Sequence, residues 1–333
     1  MTLTIGKIRG LQQLSDERGI LAMCAMDHRG SMQRMINPQA PDRVDAATLT
    51  AHKLDLAEAL APVSTAVLLD PIYGAAQAIV SGALPARTGL IVSLEETGYD
   101  REAGGRITTL LPQWSVAKIK RMGAQAVKVL LYYRSDHATA PRQHEVVRTV
   151  AADAQALDLP FVLEPLVYPV QDVEVDAAVY ATRKPDLILR AAADLSGLGI
   201  DILKTEFPGD AGACRRLDEV SQAPWVLLSA GVEFDTFARQ LETACRAGAS
   251  GFLGGRAVWE DALKISDPVD RRRWLRTVAA GRMRRLHDIA AKHGRPWWRK
   301  FGDTLETIPP VGPDWYRTYD ETGGLHHSEL RRA

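Results

Sequence analysis

Eight short apolar runs recur along the chain at near-regular spacing, and this constrains the fold more than any other feature. They are LAMCAMD (21–27), TAVLLD (65–70), GLIVSLEE (89–96), AVKVLLYY (126–133), PFVLEPLVY (160–168), ILKTEFP (202–208), WVLLSAG (225–231) and GFLGGR (251–256). They are nearly continuous in apolar character, not alternating, which is the pattern of parallel strands buried on both faces. Helical patterns lie between them. Phe234, Phe237, Ala238, Leu241, Ala244, Cys245 and Gly248 keep the i, i+3, i+4, i+7 spacing of one buried helical face, as do Val146, Val147, Val150, Ala151, Ala154 and Leu157. Gly123, Gly199 and Gly248 each close such a helix just before a strand, where a left-handed C-terminal cap favours glycine. The mean repeat of about 33 residues is close to the roughly 31 of a 250-residue barrel divided by eight. The pattern predicts a (β/α)8 barrel. The alternative, a doubly wound sheet binding a nicotinamide cofactor, lacks support because the first strand runs into DHRGSMQ and not into a G-x-G-x-x-G turn.

At 333 residues the chain has room for one barrel over residues 1–300 and an irregular tail over 301–333, where Pro309, Pro310, Pro313 and Trp315 break any regular pattern. Lys+Arg 41 balance Asp+Glu 41, so no whole-chain field attracts nucleic acid or an anionic membrane. Arg271 to Lys300 is locally basic, and a helix packing Trp274, Trp297 and Trp298 while solvating its arginines accounts for it. Cys24, Cys214 and Cys245 lack C-x-x-C spacing, and no signal-like apolar segment opens the sequence. A cytoplasmic, homo-oligomeric enzyme without membrane or nucleic-acid partners is the expectation.

In such barrels chemistry sits at the C-terminal strand ends, which here carry Asp27, Asp70, Glu95, Lys128, Glu164, Lys204, Ser229 and Arg256. Lysines inside apolar strands are the sharpest signals, because a buried unpaired ammonium is heavily penalised. A lysine amine that attacks a ketone must be neutral, and lowering its pKa from near 10.4 to ~7 costs about 4.6 kcal/mol. A second ammonium about 6 Å away supplies roughly 2.8 kcal/mol of that at an effective dielectric of 20, so Lys128 is expected to repel Lys204. An ionised Glu164 opposes this unless it lies farther off, shares its charge with Lys128, or is partly protonated. Ser229, Gly231, Gly254, Gly255 and Arg256 suggest an anion site after the seventh and eighth strands. The histidines form no H-x-x-x-H or H-E-x-x-H pair, so a zinc mechanism finds no motif.

The stretches MDHRGSMQRMI, LLDPIYG, EETGYD, WSVAKIKRMGAQAVKVLLYY, VLEPLVYP, ILKTEFP, LSAGV and GGRAVW, spanning about residues 8 to 264, resemble the class I tagatose-1,6-bisphosphate aldolase family. ASGFLGGRAVW and YYRSD are similar to its sulfofructosephosphate aldolase branch. The resemblance implies a (β/α)8 barrel, no metal or other cofactor, and a Schiff-base lysine falling on Lys204. It implies Glu164 as acid/base, Lys128 and Asp27 as its supporting pair, and Ser229 and Arg256 at anion-binding positions. The family's D-Q-R-G reads D-H-R-G here, placing His28 and Arg29 among the substrate contacts. Only about twenty residues separate Lys204 from the seventh strand, where tagatose-bisphosphate members carry a longer insertion. The implied activity is cleavage of a ketose phosphate or bisphosphate to dihydroxyacetone phosphate and an aldehyde. The alternatives are a sulfofructosephosphate aldolase and a sugar-phosphate-sensing regulatory protein.

Overall fold

The computed structural model describes residues 3–102, 104–170 and 176–301, together with Pro313, Tyr316 and Tyr319. Among the described residues ten strands follow in chain order: β1 (Leu21–Ala25), β2 (Ala66–Leu69), β3 (Gly89–Ser93), β4 (Asp100–Glu102), β5 (Gly105–Ile107), β6 (Ala126–Tyr132), β7 (Phe161–Leu166), β8 (Ile202–Thr205), β9 (Trp225–Leu227) and β10 (Gly251–Gly254). β1, β2, β3, β6, β7, β8, β9 and β10 form a closed barrel in which β10 pairs with β1. Every barrel pairing is parallel, from Met23 opposite Ala66 round to Phe252 opposite Leu227. The fold is the (β/α)8 barrel that the spacing of apolar runs predicts. β4 and β5, by contrast, form an antiparallel hairpin inserted after β3.

Four helices begin at a side-chain cap that the sequence offers. The side chains of Asp45, Ser115, Asp176 and Asp210 each accept the backbone N–H three residues on, starting the helices Ala46–Leu60, Val116–Arg121, Ala177–Leu195 and Ala211–Val220. At the other end, Gly199 and Gly248 take φ of +92° and +121°, the left-handed region that lets the chain turn sharply into the next strand.

The apolar strands separate into two layers by the two-residue period of a strand. Met23, Ala25, Leu68, Ile91, Ala126, Val162, Ile202, Val226 and Leu253 point inward and pack together. Cys24, Val67, Leu69, Val127, Leu163 and Leu203 point outward under the helices. The helix Ile5–Leu14 closes the N-terminal mouth, with Leu11 and Leu14 joining the inner layer beside the fully buried Trp297. A buried ion pair completes that plug: Lys7 Nζ lies 2.8 Å from Asp201 Oδ2, which also accepts the Phe161 N–H at 2.8 Å. The basic C-terminal segment is helical at Pro268–Trp274 and Ala280–His293, and Arg282 lies over the Trp274 ring at 5.1 Å. The expected irregular tail over 301–333 lies almost wholly outside the described residues. Among the described residues no helix is long and apolar enough to cross a membrane.

Candidate active site

The inward phase of β1, β3, β6, β7 and β8, extended toward the C-terminal end, changes from apolar to ionisable. Two residues after Ala25 comes Asp27, after Ala126 comes Lys128, after Val162 comes Glu164, and after Ile202 comes Lys204; Glu95 follows Ile91 by four. Strand geometry therefore aims all five side chains at the barrel axis.

They meet in one cluster. Lys128 Nζ stands 2.8 Å from Asp27 Oδ2, 2.6 Å from Glu95 Oε1 and 3.0 Å from Glu164 Oε2. Lys204 Nζ stands 2.8 Å from the same Glu164 oxygen. Side-chain exposure is 1% for Lys128, 5% for Lys204 and 9% for Glu164. Burial works against the Lys128 charge, but Asp27, then Glu164 and Glu95, outweigh it and hold the pKa well above the usual lysine value. Burial would likewise raise the Glu164 carboxyl, yet Lys128 and Lys204 hold it below its ordinary value. Asp27 is kept far down in the same way, first by Lys128 and then by Lys204.

This geometry selects among the three arrangements left open for Glu164: it is ionised and shares its charge between the two lysines. It also corrects the expectation that Lys128 mainly repels Lys204. Three carboxylates surround Lys128, so its charge is already matched, and Glu164 lies in contact with both ammoniums.

The sequence description of a DeoC/LacD family aldolase matches residues 21–261, which span the whole barrel and the cluster at its mouth. The chain belongs to the DeoC/LacD aldolase family. It is similar to a tagatose 1,6-diphosphate aldolase of Listeria monocytogenes serotype 4a (strain HCC23), 32% identical over 333 residues that cover 90% of this chain and 96% of the relative. A tagatose 1,6-diphosphate aldolase of Streptococcus agalactiae serotype V (strain ATCC BAA-611 / 2603 V/R) is 32% identical over 325 residues, covering 89% and 99%. Among solved structures, a Schiff base forming fructose-1,6-bisphosphate aldolase shares the fold with a TM-score of 0.58, at 21% identity over 85% of this chain and 99% of that one. The fructose-bisphosphate aldolase of Plasmodium falciparum gives 0.65 at 14% identity, covering 89% and 98%. The family makes the protein an aldolase, a carbon–carbon lyase.

In this aldolase the lysine cluster lines a cavity of about 310 Å³, shared with His28, Arg29, Arg34, Thr97, Tyr99 and Tyr132. His28 packs edge-on against Trp259 at 5.1 Å. Burial, reinforced by Arg256 and Lys204 against the pull of Asp27, pushes its pKa down to about 4, so the ring is neutral near pH 7. Its Nδ1 has no hydrogen-bond partner among the described residues. Arg29 donates through Nη2 to the Glu95 carbonyl at 2.6 Å, while its Nη1 is buried without a hydrogen bond among those residues. These atoms stand 3.8 Å from Asp27 Oδ1 and 3.7 Å from Glu96 Oε1, and both side chains line the cavity.

The five residues of the expected anion site divide. Ser229 Oγ accepts the Gly255 N–H at 3.4 Å, and a Cβ on Gly255 would stand 2.8 Å from the Ala25 carbonyl oxygen, so only glycine lets this loop lie against β1. Gly231, at φ +78°, leaves room for the Arg256 guanidinium, which a Cβ there would approach to 3.0 Å. Gly231 and Arg256 line a cavity of about 380 Å³ with Glu233, Glu260 and Arg282, and Arg256 is near enough to His28, which lines the lysine cavity, to act on its charge. Gly254 is set by packing, since a Cβ there would meet the Phe237 ring at 3.0 Å.

Two features escape sequence reading. Glu95 stands out only as one strand-end acid among several, and its bond to Lys128 is a tertiary fact. The β4–β5 hairpin brings Arg106 over the rings of Tyr99, Tyr132 and Tyr168 at 4.5, 5.5 and 4.8 Å, walling one side of the mouth.

Proposed function

We propose that the aldolase works as a class I enzyme, cleaving a ketose bisphosphate such as tagatose 1,6-bisphosphate through an iminium on Lys204. The contact between Lys204 Nζ and Glu164 Oε2 at 2.8 Å carries this reading. Transfer of one proton along it converts an ammonium–carboxylate pair into a neutral amine and a carboxylic acid. The amine attacks the ketone carbon to give a carbinolamine. Glu164 then returns its proton to the carbinolamine hydroxyl, which leaves as water and forms the iminium. As a carboxylate again, Glu164 takes the proton of the hydroxyl beyond the scissile carbon–carbon bond. That bond breaks, its electrons move into the iminium to give an enamine, and the aldehyde departs. Protonation and hydrolysis of the enamine release dihydroxyacetone phosphate.

Lys128 stays charged throughout, because three carboxylates hold its proton. Its part is electrostatic: it keeps Glu164 in place and stabilises negative charge developing beside it. Asp27 and Glu95 hold Lys128 as well, at 2.8 and 2.6 Å. Arg29 and Arg256 are the cations assigned to the substrate's anionic ends, and the neutral His28 to a sugar hydroxyl. The reading needs no metal or other cofactor.

Dihydroxyacetone phosphate release from tagatose 1,6-bisphosphate, fructose 1,6-bisphosphate and a sulfofructose phosphate, each with and without EDTA, tests the proposal. Turnover of tagatose 1,6-bisphosphate unaffected by EDTA is expected. Turnover of the sulfonate alone would move the protein to the sulfofructosephosphate branch, and binding without turnover would make it a sugar-phosphate sensor. Loss in EDTA restored by zinc would contradict the mechanism.

A further inference from the structure

Lys53 lies in the middle of the helix Ala46–Leu60, four residues after Leu49 and three before Leu56, on the face that packs against the barrel. Its side chain is completely buried, as is that of Asp70, which stands 2.6 Å from its Nζ. The ammonium also donates to the Met26 carbonyl at 2.6 Å and to the His28 carbonyl at 2.8 Å. Those two carbonyls stand immediately before and after Asp27, the residue that holds Lys128. Asp70 is in turn fixed at the end of β2, where its Oδ1 accepts the Ile72 and Tyr73 N–H groups at 2.9 and 2.8 Å.

A buried pair of this kind is poor value as glue, since well-packed apolar residues of similar volume commonly stabilise as much or more. What an apolar residue cannot do is grip two carbonyls. We propose that Lys53 is a positioning residue for the aldol cleavage, clamping the backbone on both sides of Asp27 so that Asp27 holds Lys128 against Glu164. This rests on the class I reading of the site.

The test is a double-mutant cycle. Lys53→Met with Asp70→Asn removes the clamp without leaving a lone buried charge, and is made in the native and the Asp27→Asn backgrounds. In the native background kcat falls roughly tenfold to a hundredfold with little change in KM, the scale of a small misplacement at a reacting centre. In the Asp27→Asn background the same change costs less than about threefold, because residues acting through one another are not additive. Equal losses in both backgrounds, or an unchanged kcat in the native one, overturn the proposal. An Asp27→Asn enzyme with normal kcat overturns the site reading beneath it. If the paired variant does not fold, Asp70→Asn alone leaves Lys53 its two carbonyls. It is then expected to keep kcat within about tenfold, the worth of a hydrogen bond, and a loss as large as that of Asp27→Asn overturns the clamp.

Discussion

Glu164 is the acid/base we propose, because one of its oxygens touches both ammoniums, 2.8 Å from Lys204 and 3.0 Å from Lys128. Glu164→Gln keeps the shape and removes the acceptor. Turnover is expected to fall by ~10² to 10⁴, the usual worth of a positioned proton-transfer group, while KM changes far less. Steady-state kinetics of the variant checks this, and near-normal turnover would hand the proton transfer to another group. At this scale the sequence was informative where burial makes a residue costly. Lys128 and Lys204 stand out because an ammonium inside an apolar strand needs a reason, and Glu164 and Asp27 share their inward phase. Glu95 and Lys53 do not stand out in the same way. Strand phase gives the face a side chain points to but not the partner it meets across the barrel. A lysine in an amphipathic helix ordinarily lays its stem along apolar surface with its charge in water, whereas Lys53 turns inward onto two carbonyls.

At the scale of elements, the barrel is stoppered at its N-terminal mouth and open at the other. The stopper is the helix Ile5–Leu14 together with Trp297, which is fully buried and donates its indole N–H to Ser15 Oγ at 3.2 Å. Trp297→Ala removes a large side chain from the closed end, far in sequence from the strand-end cluster. It is expected to destabilise by about 3–5 kcal/mol, read as a lower urea midpoint with an unchanged slope, and the folded variant should keep its kcat. A midpoint within error of the native protein would mean that Trp297 does not close the barrel. The strands and their order were legible because every buried parallel strand is an apolar run of similar length. The β4–β5 hairpin was not, because Asp100–Glu102 and Gly105–Ile107 are three residues each and largely polar. Its ring contacts with Arg106 form only once β6 and β7 bring Tyr132 and Tyr168 alongside.

Over the whole molecule, two buried histidines couple stability to pH. Burial, with Arg256 and Lys204 near His28 and Arg271 near His52, lowers both pKa values to about 4. The unfolded chain binds a proton on each below about 6.5, whereas the folded chain does so only near 4, so stability is lost as pH falls through that window. Each histidine is expected to contribute on the order of 2–3 kcal/mol to the loss. Urea unfolding at pH 7 and pH 4.5 checks this, and a His28→Gln, His52→Gln variant should show a flatter dependence; an identical dependence would contradict the assignment. The central claim is covalent, namely that Lys204 and not Lys128 becomes bonded to the ketone. Borohydride reduction of the enzyme mixed with dihydroxyacetone phosphate, followed by peptide mass spectrometry, tests it most directly. The account predicts one reduced adduct on the peptide carrying Lys204 and none in a Lys204→Met variant. An adduct on Lys128, or an active enzyme that traps none, would contradict it.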